Sequence, residues 1–565
     1  MLKLIPAVKN MQIYSNFLSN RSVCYDAATL DSRLAAALQR LPFDPQGAKL
    51  DIRVTGTSGE SYTLSVKENA ITILAPGPAG AFYAIQTLRQ LFTHDRIPCL
   101  TIQDAPDFPY RGFYHDVTRG RIPTLKTLKE LVDRMAYFKL NSLQLYVEHV
   151  FPFAETQDLI PHTGCLTPEE LLELQAYCRE NFIDFIPSLA TFGHMYEILN
   201  QPRYRHLQVL SDHTPSPNFW KERMLHHTID PSQDESFRLV TSLIGQYLPL
   251  FSSDHFNICC DETFDLEHSR HLGDPGVLYG QFVQKLIRYV TEQGKQTMMW
   301  ADILVKHPEL IEALPEDTCF LAWSYGAEPD RNRLDPVAAS GRKMIVCPGC
   351  SNWNWLCENI EISEKNICRM AEYGYHHGAL GVLNTSWGDW GNPCSLDLSM
   401  YGMVLGAEKS WSVKTEPDNS FYSNVNYLLY KNENGMHLLI ALCRMHTSVS
   451  WTAFCQRYFD LQSQGTTEQP PVTREALGSV QADYLSLKTR LGSPWTQDTY
   501  RQEMLCCAEG LCVMAELSAK SAGIPVRRLT DTEAWLARYS QNWLAGNKPS
   551  ELYQIQNMFR FMDAQ

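Results

Sequence analysis

His255-Phe256-Asn257-Ile258-Cys259-Cys260-Asp261-Glu262 decides how this chain is read. A mostly apolar run of strand length ends in two adjacent carboxylates. Such a run reads as a buried strand, predicted here over His255–Cys260. A charge at the end of a buried strand is costly unless it is used or compensated. Outward from this stretch the same unit recurs. Further strands are predicted at Gly112–Val117, Ser142–Glu148, Asp184–Leu189, Thr297–Ala301, Cys319–Trp323, Met344–Cys347 and Gly381–Asn384. Helical spacing lies between them, at Leu125–Tyr137, Pro168–Glu180, Ser236–Leu248 and Gly276–Gln293. Repeated strand–helix alternation predicts an α/β fold, a (β/α)8 TIM barrel. Apolar runs of this kind suit strands buried on both faces.

The ends of these strands carry the chemistry. His115-Asp116, with Arg119 beyond, closes the first and Glu148-His149 the second; His194 follows the third. Asp261-Glu262 closes the fourth, Trp300 and Asp302 the fifth, Trp323 and Tyr325 the sixth. Trp353 follows the seventh, and Trp387 and Asp389 the eighth. Barrel active sites form at the C-terminal strand ends. Two carboxylates a few ångströms apart repel, so one pKa rises, and a raised carboxyl pKa is what a general acid needs at neutral pH. Adjacent strand residues face opposite ways. Both acids therefore reach one ligand only where the pleat breaks, and the sequence does not show that break.

On either side of the barrel, predicted at 106–415, the rhythm changes. Residues 1–105 read as a small α+β domain, with strands Leu50–Val54, Tyr62–Val66 and Ala70–Leu74 and one helix from Gly80 to Phe92. Residues 416–565 read as a helical C-terminal domain, with helices at Glu475–Arg490, Thr499–Ser518 and Thr532–Leu544.

The chain has 565 residues and a net charge of −14, which argues against nucleic acid as a partner. No apolar stretch approaches the roughly 20 residues that span a bilayer. The 17 cysteines, an odd number, read as reduced, mostly buried thiols. That suggests a cytoplasmic protein, or a periplasmic or secreted one if a signal peptide has been removed. Cys347/Cys350 and Cys357/Cys368 are not followed by further close pairs at zinc-finger spacing. No His/Asp/Glu cluster has metal-ligand spacing either, so neither metal nor cofactor is expected.

Taken together, several segments resemble glycoside hydrolase family 20. The family's strand-four motif is of His-x-Gly-Gly-Asp-Glu type. Asp261 and Glu262 match it; Cys259 and Cys260 replace the glycines, and Asn257 stands in the place of the histidine. The stretch from Gly80 to Leu91 resembles the helix of the family's N-terminal domain, and Asp104 to Gly112 its entry into the barrel. Asp116-Val-Thr-Arg119 resembles the segment supplying a sugar-binding arginine, and Lys139-Leu-Asn141 the start of strand two. Phe192-Gly193-His194 resembles Pro-Gly-His, and Trp387-Gly388-Asp389 resembles Trp-x-Glu.

The resemblance implies a retaining exo-β-N-acetylhexosaminidase acting on glycans with terminal β-linked GlcNAc or GalNAc. It implies substrate-assisted catalysis through an oxazolinium ion, with Glu262 as general acid/base and Asp261 orienting the 2-acetamido group. Trp300, Trp323 and Trp387 would form the acetamido pocket, core packing being the competing reading for each. Tyr325 would donate to the acetamide oxygen. Arg119 and Asp389 would hold sugar hydroxyls, a structural ion pair being the alternative for Arg119. His194 would sit at the rim or behind the acids. Two other readings stay open. One is a barrel glycosidase with a conventional nucleophile, Glu148 or Asp302, facing Glu262 across ~5 Å. The other is a carbohydrate-binding protein without catalysis.

Overall fold

A computed structural model describes residues 2–28, 30–160, 164–210, 213–496 and 498–565. Six strands form the first sheet: β1 (Asn10–Phe17), β2 (Val23–Cys24), β3 (Ala48–Val54), β4 (Tyr62–Val66), β5 (Ala70–Ala75) and β6 (Pro98–Asp104). Their order is β1-β6-β4-β5-β3-β2. The three expected strands are β3, β4 and β5. β1 escaped the sequence reading because all its residues are exposed, so it lacks the in–out alternation that marks a half-buried strand. The helix Pro78–Leu91 packs its apolar stripe on this sheet, with Pro78 at its start, where a missing N–H costs nothing.

Eight parallel strands then close into a barrel. They are β7 (Tyr110–Asp116), β8 (Ser142–Val147), β9 (Asp184–Leu189), β10 (His255–Asn257), β11 (Gln296–Trp300), β12 (Cys319–Trp323), β13 (Met344–Cys347) and β14 (Gly381–Ser386). β14 closes on β7 through register pairs from Gly381–Tyr110 to Ser386–His115. Inward side chains, among them Tyr114, Tyr146, Ile186, Met298, Leu321, Ile345 and Leu383, form a core inside the barrel. Outward ones pack under the helices. One prediction is corrected: β10 is three residues long, because Cys259, Cys260 and Glu262 take left-handed φ of 57°, 64° and 49°.

Beyond the helix Met400–Trp411 the described chain is helical. The three expected helices appear as Arg474–Arg490, Asp498–Lys520 and Thr532–Gly546. Asn419–Val425, Gly435–His446, Trp451–Gln464 and Leu552–Ala564 join them. Gly435–His446 is buried along most of its length, and burial on several sides removes the one-faced stripe by which a helix is recognised. No single helix among the described residues is long and apolar enough to cross a membrane.

One buried network ties the sheet, the barrel and the helix after it together. The Lys139 ammonium, just before β8, donates to Asp104 at 3.2 Å and to the Tyr62 hydroxyl at 2.9 Å. Tyr62 donates to Asp104 at 2.7 Å, and Trp411 Nε1 donates to it at 3.1 Å. Burial pushes the Lys139 pKa down, opposed chiefly by the charge of Asp104. Removing one partner of a buried ion pair strands the other. Asp104→Asn is therefore expected to lower unfolding stability by about 3–5 kcal/mol, read by urea denaturation. A loss near zero would show that Lys139 finds another counter-charge.

Candidate active site

The pleat breaks directly after β10. Left-handed backbone costs a non-glycine residue roughly 1–2 kcal/mol, and three residues of Cys259–Glu262 adopt it. The surrounding barrel holds the turn by taking up its backbone polar groups. Ile258 N–H donates to Met298 O at 3.0 Å, and Cys259 O accepts from Trp300 N–H at 3.0 Å. Asn257 Oδ1 accepts the Cys259 N–H at 2.9 Å, while its amide donates to Gln144 Oε1 at 2.9 Å. Thr191 donates to Ile258 O at 2.6 Å and the Tyr279 hydroxyl to Cys260 O at 2.8 Å. The Glu262 N–H donates to Asp302 Oδ2 at 3.1 Å. Gly193 passes so close that a Cβ there would lie 2.4 Å from the Asp261 carbonyl oxygen. A side chain at 193 would push the turn away, which explains the glycine before His194.

With the alternation broken, Asp261 and Glu262 both line one pocket. It has about 520 Å³ of empty space, open solvent included, and is lined by Arg119, Tyr146, His194, Met224, Asp261, Glu262, Trp300, Trp323, Tyr325, Trp353, Trp387 and Asp389. All nine site residues expected from the sequence are therefore brought together. Tyr146, Met224 and Trp353 were not assigned to the site. Tyr146 lies within the apolar run of β8 and reads as core. Met224 comes from the helix Phe219–Leu225 in the long β9–β10 connection, whose fold no local pattern reports. Trp353 had a signal, its place after β13. Glu148 and Asp302 do not line the pocket: Glu148 Oε1 accepts the Tyr146 hydroxyl at 2.8 Å, and Asp302 sits behind the Glu262 backbone.

The walls are aromatic. Trp300 and Trp387 have ring centroids 5.7 Å apart, and Tyr114 packs on both from the barrel interior. Trp323 stacks on Tyr325 at 4.9 Å, and Trp353 meets Tyr325 edge-on at 5.1 Å. Trp387 Nε1 donates to the Tyr325 hydroxyl at 2.9 Å. That bond occupies the hydroxyl oxygen as acceptor and leaves its proton free to be donated.

Two cations stand among the acids. Arg119 is an ion pair on both sides, its Nε 2.6 Å from Asp116 and its Nη1 2.9 Å from Asp389. The guanidinium is structurally paired, as the alternative reading expected, and it also lines the pocket. Burial raises the Asp389 pKa to about 6 against the opposing charge of Arg119. His194 Nε2 lies 3.5 Å from Asp261 Oδ2 and 3.3 Å from Glu262 Oε2. Burial opposes its protonation, but the two carboxylates outweigh burial and hold its pKa well above the ordinary histidine value. His194 is thus a cation set against both acids. A third acid feels both of them: burial first, then repulsion from Asp261 and Glu262, pushes Asp302 up to about 7.

Among the described residues two groups of donors lie within metal-binding reach, although no pattern of residue spacing along the chain marks either. His194, Asp261 and Glu262 form the first, inside the pocket. His213, Glu222 and His226 form the second, outside the pocket lining.

The glycosyl hydrolase family 20 catalytic-domain model matches residues 108–355, and the model of that family's domain 2 matches residues 6–105. The chain belongs to glycosyl hydrolase family 20. Within the family motif, the two glycines stand where this member turns left-handed with cysteines. β14, Trp387 and Asp389 lie beyond the matched segment. A β-hexosaminidase of Akkermansia muciniphila is 35% identical over 26% of this chain and 34% of its own length. One of Emericella nidulans is 25% identical over 65% of each. These alignments span from a third to just under two thirds of those relatives. Among solved structures, Flavobacterium johnsoniae chitobiase shares the fold with a TM-score of 0.63 and 16% identity, covering 99% of both chains. The Streptomyces plicatus N-acetyl-β-hexosaminidase in complex with Thio-NAglucal matches at 0.59 and 19%, covering 76% of this chain and 94% of its own.

The raised Asp302 pKa has a thermodynamic consequence. The folded protein keeps this proton over a range in which the unfolded chain, with a carboxyl near the ordinary 3.8, has released it. The contribution of Asp302 to stability therefore falls as pH rises from about 4 to about 7 and is constant above. In Asp302→Asn the acceptor for the Glu262 N–H is kept and the titration is removed. The variant is expected to gain on the wild type across that window, measured by urea unfolding at pH 5, 6, 7 and 8. A difference independent of pH would show that Asp302 does not titrate there.

Proposed function

We propose that this chain is a retaining exo-β-N-acetylhexosaminidase removing terminal β-linked GlcNAc or GalNAc from glycans. The observation that carries the reading is the placing of Asp261 and Glu262 side by side in one tryptophan-walled pocket. The tryptophan faces suit the C–H surfaces of a sugar and the methyl of an acetamido group. Arg119 and Asp389 offer a donor and an acceptor to hydroxyls.

The chemistry proceeds in two balanced steps. The substrate's 2-acetamido oxygen attacks C1 as the bond from C1 to the leaving oxygen breaks, and that oxygen takes the proton of Glu262. Asp261 stabilises the positive charge spreading onto the acetamide N–H. The Tyr325 hydroxyl donates to the acetamide oxygen and orients it. Water then attacks C1 of the oxazolinium ion, giving its proton to Glu262. The ring opens and the acetamido group is restored, with retained configuration after two inversions. The conventional-nucleophile reading needs a second carboxylate across the pocket, and its candidates Glu148 and Asp302 lie outside the lining. A lectin has no use for a pair of acids held against a cationic His194.

Glu262→Gln is expected to reduce cleavage of a chitobiose-like substrate by about 10²–10⁴-fold, the usual worth of a general acid. An activated aryl glycoside should lose less in its first step. Near-wild-type hydrolysis of the natural linkage would remove Glu262 from this role. The nucleophile is tested separately. A thiazoline analogue of the bicyclic intermediate should inhibit far more tightly than the free sugar, because a site binds the transition state more tightly than the substrate. Asp261→Asn should lose most of that affinity. Hydrolysis of plain β-glucosides, together with a glycosyl-peptide trapped by a 2-fluoro sugar, would overturn the substrate-assisted reading.

A further inference from the structure

We propose that His213, Glu222 and His226 bind a first-row dication of the zinc class, and that Asp265 orients His226 as a ligand. The donors come from one short segment. Glu222 and His226 stand four residues apart, on one face of the helix Phe219–Leu225 and its C-terminal cap. His213 folds back on them, its Nε2 2.5 Å from Glu222 Oε1. One ligand atom from each of the three lies within 4.8 Å of the other two. A tetrahedral ion with bonds of about 2.0 Å needs donors about 3.3 Å apart, so small side-chain rotations bring them onto it.

Two further observations point to a cation. The Glu222 and Asp265 carboxylates are each 2% exposed, and among the described residues neither is paired with a lysine or arginine; each faces an imidazole. Two buried carboxylates without a strong cation are costly, and a dication between them supplies that charge. The second observation is the role of Asp265. It accepts from His226 Nδ1 at 2.9 Å and is itself fixed by the Thr228 N–H at 2.9 Å. A ligand histidine is commonly held in this way, the carboxylate gripping one ring nitrogen so that the other is presented to the metal. Glu222 is likewise fixed, its Oε2 accepting the Ser216 N–H at 2.9 Å. Two imidazoles and one carboxylate form a donor set typical of zinc, with a fourth position for water.

The ion would brace the stretch of the β9–β10 connection that lines the pocket, and the Asp265–His226 bond ties that stretch to the segment after the catalytic pair. Asp265 lies three residues after Glu262. The helix that carries Glu222 also carries Met224, whose sulfur is 2.9 Å from Arg119 Nη1. It carries Trp220 as well, so close to Gly391 that a Cβ there would lie 2.7 Å from the indole. The metal therefore has a structural task, fixing the fold of the long β9–β10 connection behind the pocket.

Co2+ serves as the probe. The full chain, stripped by chelator and dialysed, is titrated with Co2+ and then with Zn2+ in competition. One Co2+ per chain is expected, with visible bands of an oxygen and nitrogen site and none of the intense near-ultraviolet absorption of cobalt–thiolate bonds. His213→Ala and Glu222→Gln should each weaken binding by at least tenfold. Asp265→Asn should weaken it about 10–100-fold, the usual effect of losing the partner of a ligand histidine. Glu262→Gln should bind as the wild type does, separating this site from the catalytic acids. Failure to bind one equivalent, thiolate bands, or binding indifferent to His213→Ala would each overturn the proposal.

Discussion

The site depends on one local constraint: the chain must stop being a strand after Asn257. Had β10 run on through Cys260, alternation would have sent Asp261 and Glu262 to opposite faces. Left-handed backbone at Cys259, Cys260 and Glu262 prevents this, at a cost that side-chain bulk makes larger than it is for glycine. That cost is met by neighbours. β11 bonds the turn backbone on one side, Thr191 bonds it from the β9 end, and Tyr279 and Asn257 take up further groups. Asn257 acts here as a brace, linking β8 through Gln144 to the first residue of the turn. The thiols find room in the interior, Cys259 Sγ lying 3.3 Å from Ser188 Oγ.

Once the acids share a pocket, their charge has to be managed in an aromatic, low-dielectric setting, where each uncompensated charge is expensive. His194 answers them at 3.3–3.5 Å, and Asp116 and Asp389 hold Arg119 from two sides. Asp302 takes the remaining strain electrostatically, keeping its proton up to about pH 7. The C-terminal helices bear on the same end of the barrel. Arg121, two residues past Arg119, stacks on Trp543 at 4.1 Å and donates to the Tyr539 hydroxyl at 3.1 Å. The C-terminal helices thereby fix the segment that presents Arg119.

Much of this was legible in order along the chain. Apolar runs alternating with helical spacing marked the barrel strands, since strands covered on both faces must be apolar throughout. Helices with one buried stripe were placed nearly to the residue, as at Leu125–Tyr137 and Pro168–Glu180. The residues Arg119, His194, Asp261, Glu262, Trp300, Trp323, Tyr325, Trp387 and Asp389 stood at strand ends, where a barrel gathers its chemistry. Where burial was uniform or absent the signal vanished, as in the exposed β1 and the buried helix Gly435–His446.

The sequence by itself determined the type and order of the elements, the identity of the acids, and the end of the barrel at which they stand. Those properties follow from composition and periodicity within short windows. Tertiary structure alone decided that the two acids face one way, because the left-handed turn is stabilised largely by hydrogen bonds from β11, from Thr191 after β9 and from Tyr279, which lie far from it in sequence. It alone set the protonation of His194 and Asp302, since burial and through-space charge fix those pKa values. And it alone brought His213 to Glu222 and Asp265 to His226, because no periodic pattern spans the β9–β10 connection to announce which side chains will meet.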